Sequence, residues 1–104
     1  MSICSYISDI TWAMMTEAGI DTDLVSLQPT PDGSDEYILI DGDVKVAFGP
    51  SVTEQGNPAI GWEVSTYQRE SDDGGSYSWM HLRQAHAGTA NEALRLVAEA
   101  VAFG

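Results

Sequence analysis

Carboxylates dominate the first 44 residues of this 104-residue chain. Nine aspartates and glutamates lie there without a single lysine or arginine, so most of the formal net charge of -12 falls before Lys45. Clustered carboxylates suit two kinds of chemistry, attraction to a positively charged macromolecule and binding of Ca²⁺. The densest group, called the acidic block below, consists of Asp21, Asp23, Asp32, Asp35, Glu36, Asp41 and Asp43.

The spacing within the acidic block favours imitation of a nucleic-acid backbone. Asp21 and Asp23 are separated by one residue, and so are Asp41 and Asp43. In an extended chain such neighbours lie about 6.5–7 Å apart, which is similar to the spacing of phosphates along a nucleic-acid strand. The alternative is that aspartate favours turns and that an acidic surface keeps a protein soluble.

Calcium binding is not expected from this sequence. Residues 32–36 superficially resemble an EF-hand loop, but that loop alternates its ligands over twelve residues and lies between two helices. Here the flanking residues have the pattern of strands. We therefore predict neither a metal site nor a cofactor.

Catalytic motifs are equally scarce. His81 and His86 are the only histidines and Cys4 is the only cysteine, which is too few for a zinc quartet. The chain also lacks a Gly-x-Ser-x-Gly elbow, a phosphate-binding loop and the glycine pattern of dinucleotide-binding proteins. We therefore expect a protein that is not an enzyme.

Aromatic residues in the second half of the chain form another candidate interaction surface. If residues 60–68 pair with residues 77–84, alternation predicts two faces. One face carries Ile60, Trp62, Val64, Met80 and Leu82, and the other carries Glu63, Tyr67, Arg69, Tyr77, Trp79, His81 and Arg83. Tyr, Trp and Arg are enriched at binding hot spots, although cross-strand aromatic pairs also stabilise a sheet without any partner.

Size and composition indicate one globular domain spanning residues 1–104. Apolar residues make up 43 % of the chain, and a single cysteine fits a reducing compartment, so we expect a cytoplasmic protein. We see neither a basic, apolar signal peptide nor a membrane-spanning run. Four scattered basic residues argue against direct binding of nucleic acid, and the negative charge argues against an anionic membrane.

Helices are predicted at both ends. Isoleucine and methionine recur at helical spacing between residues 2 and 18, and Gly19 is well placed to end this first helix. Trp12 projects away from that apolar stripe and is a candidate anchor for a partner. Thr89 and Glu92 form a capping box at the start of the last helix, whose apolar stripe is Ala90, Leu94, Val97 and Val101.

The middle of the chain reads as strands, at residues 24–28, 37–40, 44–48, 60–68 and 77–84. Asp41-Gly42 predicts a hairpin with a type I′ turn, and residues 31–33 and 72–75 mark two further reversals. The fold class expected is therefore α+β, an antiparallel meander of four or five strands with an N-terminal and a C-terminal helix packed on one face.

Charge and the absence of motifs together favour a small acidic inhibitor that occupies the cationic, nucleic-acid-binding surface of a partner protein. Phage anti-restriction and anti-CRISPR proteins act in this manner, and this chain is similar to them in being short, acidic and free of catalytic motifs. The residues expected to bind are the acidic block, with Trp12, Tyr77 and Trp79 as apolar anchors. The alternative is a virion or oligomer component that associates through the aromatic sheet face or through a strand edge.

Overall fold

The computed structural model describes residues 7–29, 35–52, 58–71 and 77–103. Within these residues the chain forms a five-stranded antiparallel sheet whose strands follow one another in chain order, so the predicted meander is confirmed. The strands are β1 (Val25–Pro29), β2 (Asp35–Asp41), β3 (Val44–Val52), β4 (Pro58–Ser71) and β5 (Tyr77–Ala87). The helices are α1 (Trp12–Glu17) and α2 (Ala90–Phe103), with short 3-10 turns at Ile7–Asp9 and Thr22–Leu24.

The β2–β3 hairpin lies where the sequence predicts it, but its turn is shifted by one residue. Asp41 pairs with Val44, so the two turn residues are Gly42 and Asp43. Gly42 has a φ of +61°, whereas no described residue other than glycine has a positive φ. A positive φ at the first turn position alone is the pattern of a type II′ turn rather than the predicted type I′ turn.

A bulge in β5 changes the predicted faces of the long hairpin. Thr66 pairs with Arg83 and Tyr67 pairs with His81, which leaves Leu82 as an extra residue. Since a bulge reverses the alternation on one side of itself, Arg83 shares a face with the buried Thr66. The prediction that Arg83 lies on the face of Trp79 is therefore wrong.

Two residues of β5 that were predicted in the core are exposed. Leu82 is the extra residue of the bulge, whereas Met80 pairs with Gln68 and stays on the face of Thr66. Leu82 is 49 % exposed and Met80 is 40 % exposed, because β5 is the last strand of the sheet and continues past the helix that covers its other end. Ile60, also predicted on the core face, is exposed next to Gly61, where the backbone has a φ of +106°. Trp62 and Val64 are buried as predicted.

One hydrophobic core joins the sheet to residues from both ends of the chain. Tyr37 lies near its centre, where its hydroxyl donates a hydrogen bond of 2.9 Å to the carbonyl oxygen of Ile10. Burial raises the pKa of the Tyr37 phenol, so this donor keeps its proton to a higher pH than an exposed tyrosine does. The largest fully buried side chains are Phe48, Ile10, Met15, Leu39, Leu94, Val46 and Val97.

The N-terminal helix is shorter than predicted. Residues 2–6 of the predicted helix lie outside the described residues, and after the 3-10 turn the helix α1 begins only at Trp12. Thr11 is the N-cap, because its hydroxyl accepts a hydrogen bond of 3.1 Å from the amide of Met14. Because the helix begins later than predicted, Met15 lies in the core and Met14 is only partly buried.

The C-terminal helix begins with a variant of the predicted capping box. The Glu92 amide donates to the Thr89 hydroxyl at 3.2 Å, but the Glu92 carboxylate accepts from the amide of Gly88 rather than from that of Thr89. The helix packs against β3, β4 and β5. Within the described residues, no helix has the length and apolar character needed to cross a membrane.

Candidate functional site

Part of the acidic block is brought together beside the β2–β3 hairpin. Asp21 and Asp41 line one groove of about 380 Å³, whose apolar walls come from Leu39 of β2 and Val101 of α2. The turn places Asp43 two residues beyond Asp41, and Asp23 follows Asp21 in the 3-10 turn. We call Asp21, Asp23, Asp41 and Asp43 the hairpin-end acids.

The hairpin-end acids are exposed, and their charges are largely uncompensated. Asp21 caps the 3-10 turn by accepting a hydrogen bond of 3.1 Å from the amide of Asp23. Asp43 lies 3.9 Å from the guanidinium of Arg69, in an exposed ion pair of the kind that contributes little to stability. Within the described parts of the chain, no ion pair joins Asp21, Asp23 or Asp41 to a basic side chain.

Two further acids of the block, Asp35 and Glu36, lie at the other end of β2. Asp35 and Glu36 begin the strand that Asp41 ends, and a strand of this length separates its ends by about 20 Å. That separation exceeds the distance of about 10 Å over which exposed charges interact in 0.1 M salt. Asp32 lies outside the described residues. The described acids of the block therefore form two groups whose electrostatic fields are largely independent in 0.1 M salt.

Trp79 belongs to a cluster on the sheet face that alternates with the core residues of β3. Lys45 pairs with Tyr67, and its ammonium lies 4.7 Å from the centre of the Tyr67 ring and 5.6 Å from that of Trp79. The Tyr67 ring in turn contacts His81, with 5.1 Å between ring centres. We call Lys45, Tyr67, Trp79 and His81 the Lys45 cluster.

Sequence reasoning missed Lys45, although a signal was present. Lys45 lies between two buried valines, Val44 and Val46, and strict alternation in a strand assigns it to the opposite face. A cation above two aromatic rings is stabilised by the negative faces of those rings. The cluster therefore already holds a cation of its own.

Trp12, another predicted anchor, lies apart from this cluster. The ring of Trp12 is 47 % exposed and meets Tyr37 edge-on, with ring centres 5.6 Å apart, so it contacts a core residue rather than Trp79. The backbone of Tyr77 pairs with Ser71 in the β4–β5 hairpin. The Tyr77 side chain lies outside the described part of the chain.

A polar cluster that sequence reasoning did not identify crosses β3, β4 and β5. The Glu63 carboxylate accepts hydrogen bonds from the Ser51 hydroxyl and the Gln84 amide, each at 3.1 Å, and lies 3.0 Å from Nδ1 of His86. Ser51 is buried, whereas His86 and Glu63 are partly exposed. No sequence signal indicated this cluster, because the predicted strand 77–84 ends before His86 and the pairing of Glu63 with His86 depends on the bulge at Leu82.

This polar cluster has the residue types of a hydrolytic triad but not its geometry. In such a triad the acid binds one imidazole nitrogen and the serine binds the other. Here the Ser51 hydroxyl, at 3.4 Å, and the Glu63 carboxylate both face Nδ1 of His86. The Ser51 hydroxyl donates to Glu63, so the imidazole does not lie between serine and acid as it does in a triad, and the three side chains link three strands.

Gly61 makes room for this cluster, and we expect its replacement by alanine to lower the free energy of unfolding by about 1–3 kcal/mol. Gly61 has a φ of +106°, and a Cβ atom there would overlap the imidazole ring of His86. Guanidinium denaturation of Gly61→Ala measures the loss. Gly88→Ala is the matched control, since its Cβ would meet only Glu92 at 3.9 Å. Equal stability of the two variants would contradict the prediction.

No group of three or more histidine, cysteine or acidic residues in the described ranges is arranged to hold a metal ion. We found no match to the chain among protein-family models, curated proteins or solved structures. Function is therefore argued from the surfaces of this molecule alone.

Proposed function

We propose that this protein is a non-enzymatic, acidic binding protein of the cytoplasm that occupies the cationic, nucleic-acid-binding surface of a partner protein and inhibits it. The partner is a protein or complex that binds nucleic acid, and the phosphate surrogates are carboxylates of the acidic block. Phage inhibitors of restriction and CRISPR systems are the functional class with this character. Neither nucleic acid nor a membrane is bound directly.

The proposal rests on the exposed carboxylates of Asp21, Asp23 and Asp41, which form no ion pair with a basic side chain among the described residues. A folded chain that needs acids only for solubility intersperses both signs of charge. Here Asp21 and Asp41 line one groove, and Asp23 lies beside Asp21 in sequence. A cationic partner is attracted to this end because few basic side chains of the protein itself already neutralise these carboxylates.

The fold supports the proposal by leaving broad surfaces free. We infer that both helices cover the same face of the sheet, because Ile10 and Met15 join one core cluster with Leu94 and Val97. A helix is about 10–12 Å across with its side chains, so the shortest dimension of the molecule, 19 Å, fits helices on one side only. The hairpin-end acids then lie at the rim of this two-layer structure.

Capture of the partner on immobilised protein tests the proposal. We expect a nucleic-acid-binding protein to be retained from the native host lysate at low salt, to be released at about 0.5 M salt, and to be displaced by added duplex DNA. Release by salt shows that binding is electrostatic. Displacement by DNA shows that this protein and DNA occupy the same surface of the partner. Retention that resists both treatments would refute the mimicry.

Assembly of copies of this chain is the second candidate function, favoured by the sheet face of the Lys45 cluster. Ile40, which alternates with the core residues of β2, is 45 % exposed on that face. Apolar association persists or strengthens in salt, whereas mimicry weakens. Gel filtration at low and high salt separates the two, because a dimer or ring that survives high salt supports assembly.

A further inference from the structure

The groove that Asp21 and Asp41 line, called the Asp21–Asp41 groove below, combines apolar walls with two carboxylates. It has a volume of about 380 Å³ and is formed by residues next to the first strand, by β2 and by the last turns of α2. Ile20 and Leu39 are its buried part, at 6 % and 1 % exposure. Asp21 and Asp41 are exposed. A ligand with an apolar part and a charged part therefore matches this groove better than a bare ion does.

The charge that lines the groove is negative from three directions. Asp21 uses Oδ1 to accept the hydrogen bond from the Asp23 amide, which orients the carboxylate and leaves Oδ2 outside that bond. Asp41 lines the groove from the end of β2. The last turn of α2, which contributes Val101 and Ala102, has no basic residue, and the carbonyl groups at a helix C-terminus carry partial negative charge. A cation is therefore favoured at this site.

That cation must come from another molecule, because the lining of the groove includes no lysine or arginine. Arginine has the chemistry that the groove requires. Its aliphatic stem covers apolar surface, here Leu39 and Val101, while its charged end stays near water. The guanidinium presents five donors in one plane, so it can bond to carboxylates on two different elements, and it is more weakly hydrated than the ammonium of lysine.

We propose that the Asp21–Asp41 groove binds one arginine side chain of the partner. The stem lies against Leu39 and Val101, and the guanidinium donates to the carboxylates of Asp21 and Asp41. The proposal rests on the proposed function for the identity of the partner, because surfaces that bind nucleic acid carry exposed arginines for contact with phosphate. The groove itself is open to measurement without the partner.

Titration of the full-length ¹⁵N-labelled protein with a blocked Gly-Arg-Gly tripeptide at low salt tests this proposal. We expect the amide signals of Asp21, Asp41 and Val101 to shift. The matched citrulline peptide keeps the shape but not the charge, so it should bind about tenfold more weakly. A lysine peptide should also bind more weakly than the arginine peptide. Shifts confined to other residues, or citrulline or lysine binding as tight as that of arginine, would overturn the proposal.

A leucine placed in the groove separates the effect of its shape from that of its charge. Ala98 of α2 lines the groove, so Ala98→Leu fills the space of the stem and leaves every carboxylate in place. It should weaken binding of the arginine peptide about tenfold, the equivalent of about two methylene groups that are no longer buried. Asn91→Leu is the matched control, because it adds leucine at an exposed position near the start of the same helix. Equal affinities of the two variants would contradict binding of the stem in the groove.

The double variant Asp21→Asn with Asp41→Asn keeps the shape of the groove and removes its charge. Both positions are exposed, and asparagine also serves as a cap, so the variant should fold. It should bind the arginine and citrulline peptides equally, and a retained preference for arginine would overturn the proposal. These measurements use the protein and peptides alone. Their failure would therefore leave the salt and DNA tests on the captured partner to decide the proposed function.

Discussion

Replacement of Asp21 and Asp41 by lysine should weaken binding to the basic partner by about a hundredfold or more, since like charges facing each other across an interface cost several kcal/mol. The two residues line one groove, and neither has a basic partner among the described side chains. The dissociation constant, measured by titration calorimetry at low salt, checks this result. Asp21→Asn with Asp41→Asn should lose less affinity, because charge is removed but not reversed.

A control with the same change in net charge separates a local effect from a general one. Asp21→Lys with Asp41→Lys raises the net charge by four units, and so does Glu70→Lys combined with Ser26→Lys and Gln28→Lys. All five positions are exposed, so both variants should fold. Because Gln28 pairs with Glu36 of the second acidic group, a control that loses as much affinity as the Asp21 and Asp41 variant would mean that the loss is not specific to the hairpin end.

The two acidic groups make separate contributions that the same assay resolves. Asp35 begins β2 about 20 Å from Asp41, which is farther than exposed charges act in 0.1 M salt. A partner that spans both groups responds to Asp35→Lys as well, whereas a partner confined to the hairpin end does not. The structure therefore divides the described acids of the block into two groups that mutations distinguish.

Sequence periodicity was sufficient for the sheet but not for its details. The meander was predictable because Gly42 lies at one turn and strands of alternating pattern flank it. The bulge at Leu82 was not, since the alternation in 77–87 reads equally well without it. One extra residue moves Arg83 to the face of Thr66.

The positions of the charged side chains in the fold were less predictable from the sequence than their number. The sequence establishes which residues are acidic, but it is the extent of β2 from Asp35 to Asp41 that puts these two acids about 20 Å apart. Lys45 and Glu63 are similar cases, because their partners are distant in sequence. Tyr67 meets Lys45 from β4, and His86 meets Glu63 from β5.

Replacement of Phe48 by alanine should lower the free energy of unfolding by about 3–5 kcal/mol, the usual cost of deleting a buried aromatic ring. Phe48 is 1 % exposed and stacks on Tyr37 with ring centres 5.4 Å apart. Tyr37 also contacts the ring of Trp12 and donates a hydrogen bond to the carbonyl oxygen of Ile10. The loss should therefore loosen the N-terminal segment as well as β3, and guanidinium denaturation measures it.

An exposed control shows whether the loss comes from this stack of rings. Ile60→Ala also deletes an apolar side chain from the sheet, but Ile60 is 62 % exposed, so its cost should be about 0.5 kcal/mol. The stability of small domains is about 5–15 kcal/mol, so Phe48→Ala removes a large share of it. A cost equal to that of Ile60→Ala would mean that the core does not depend on the contact between Tyr37 and Phe48.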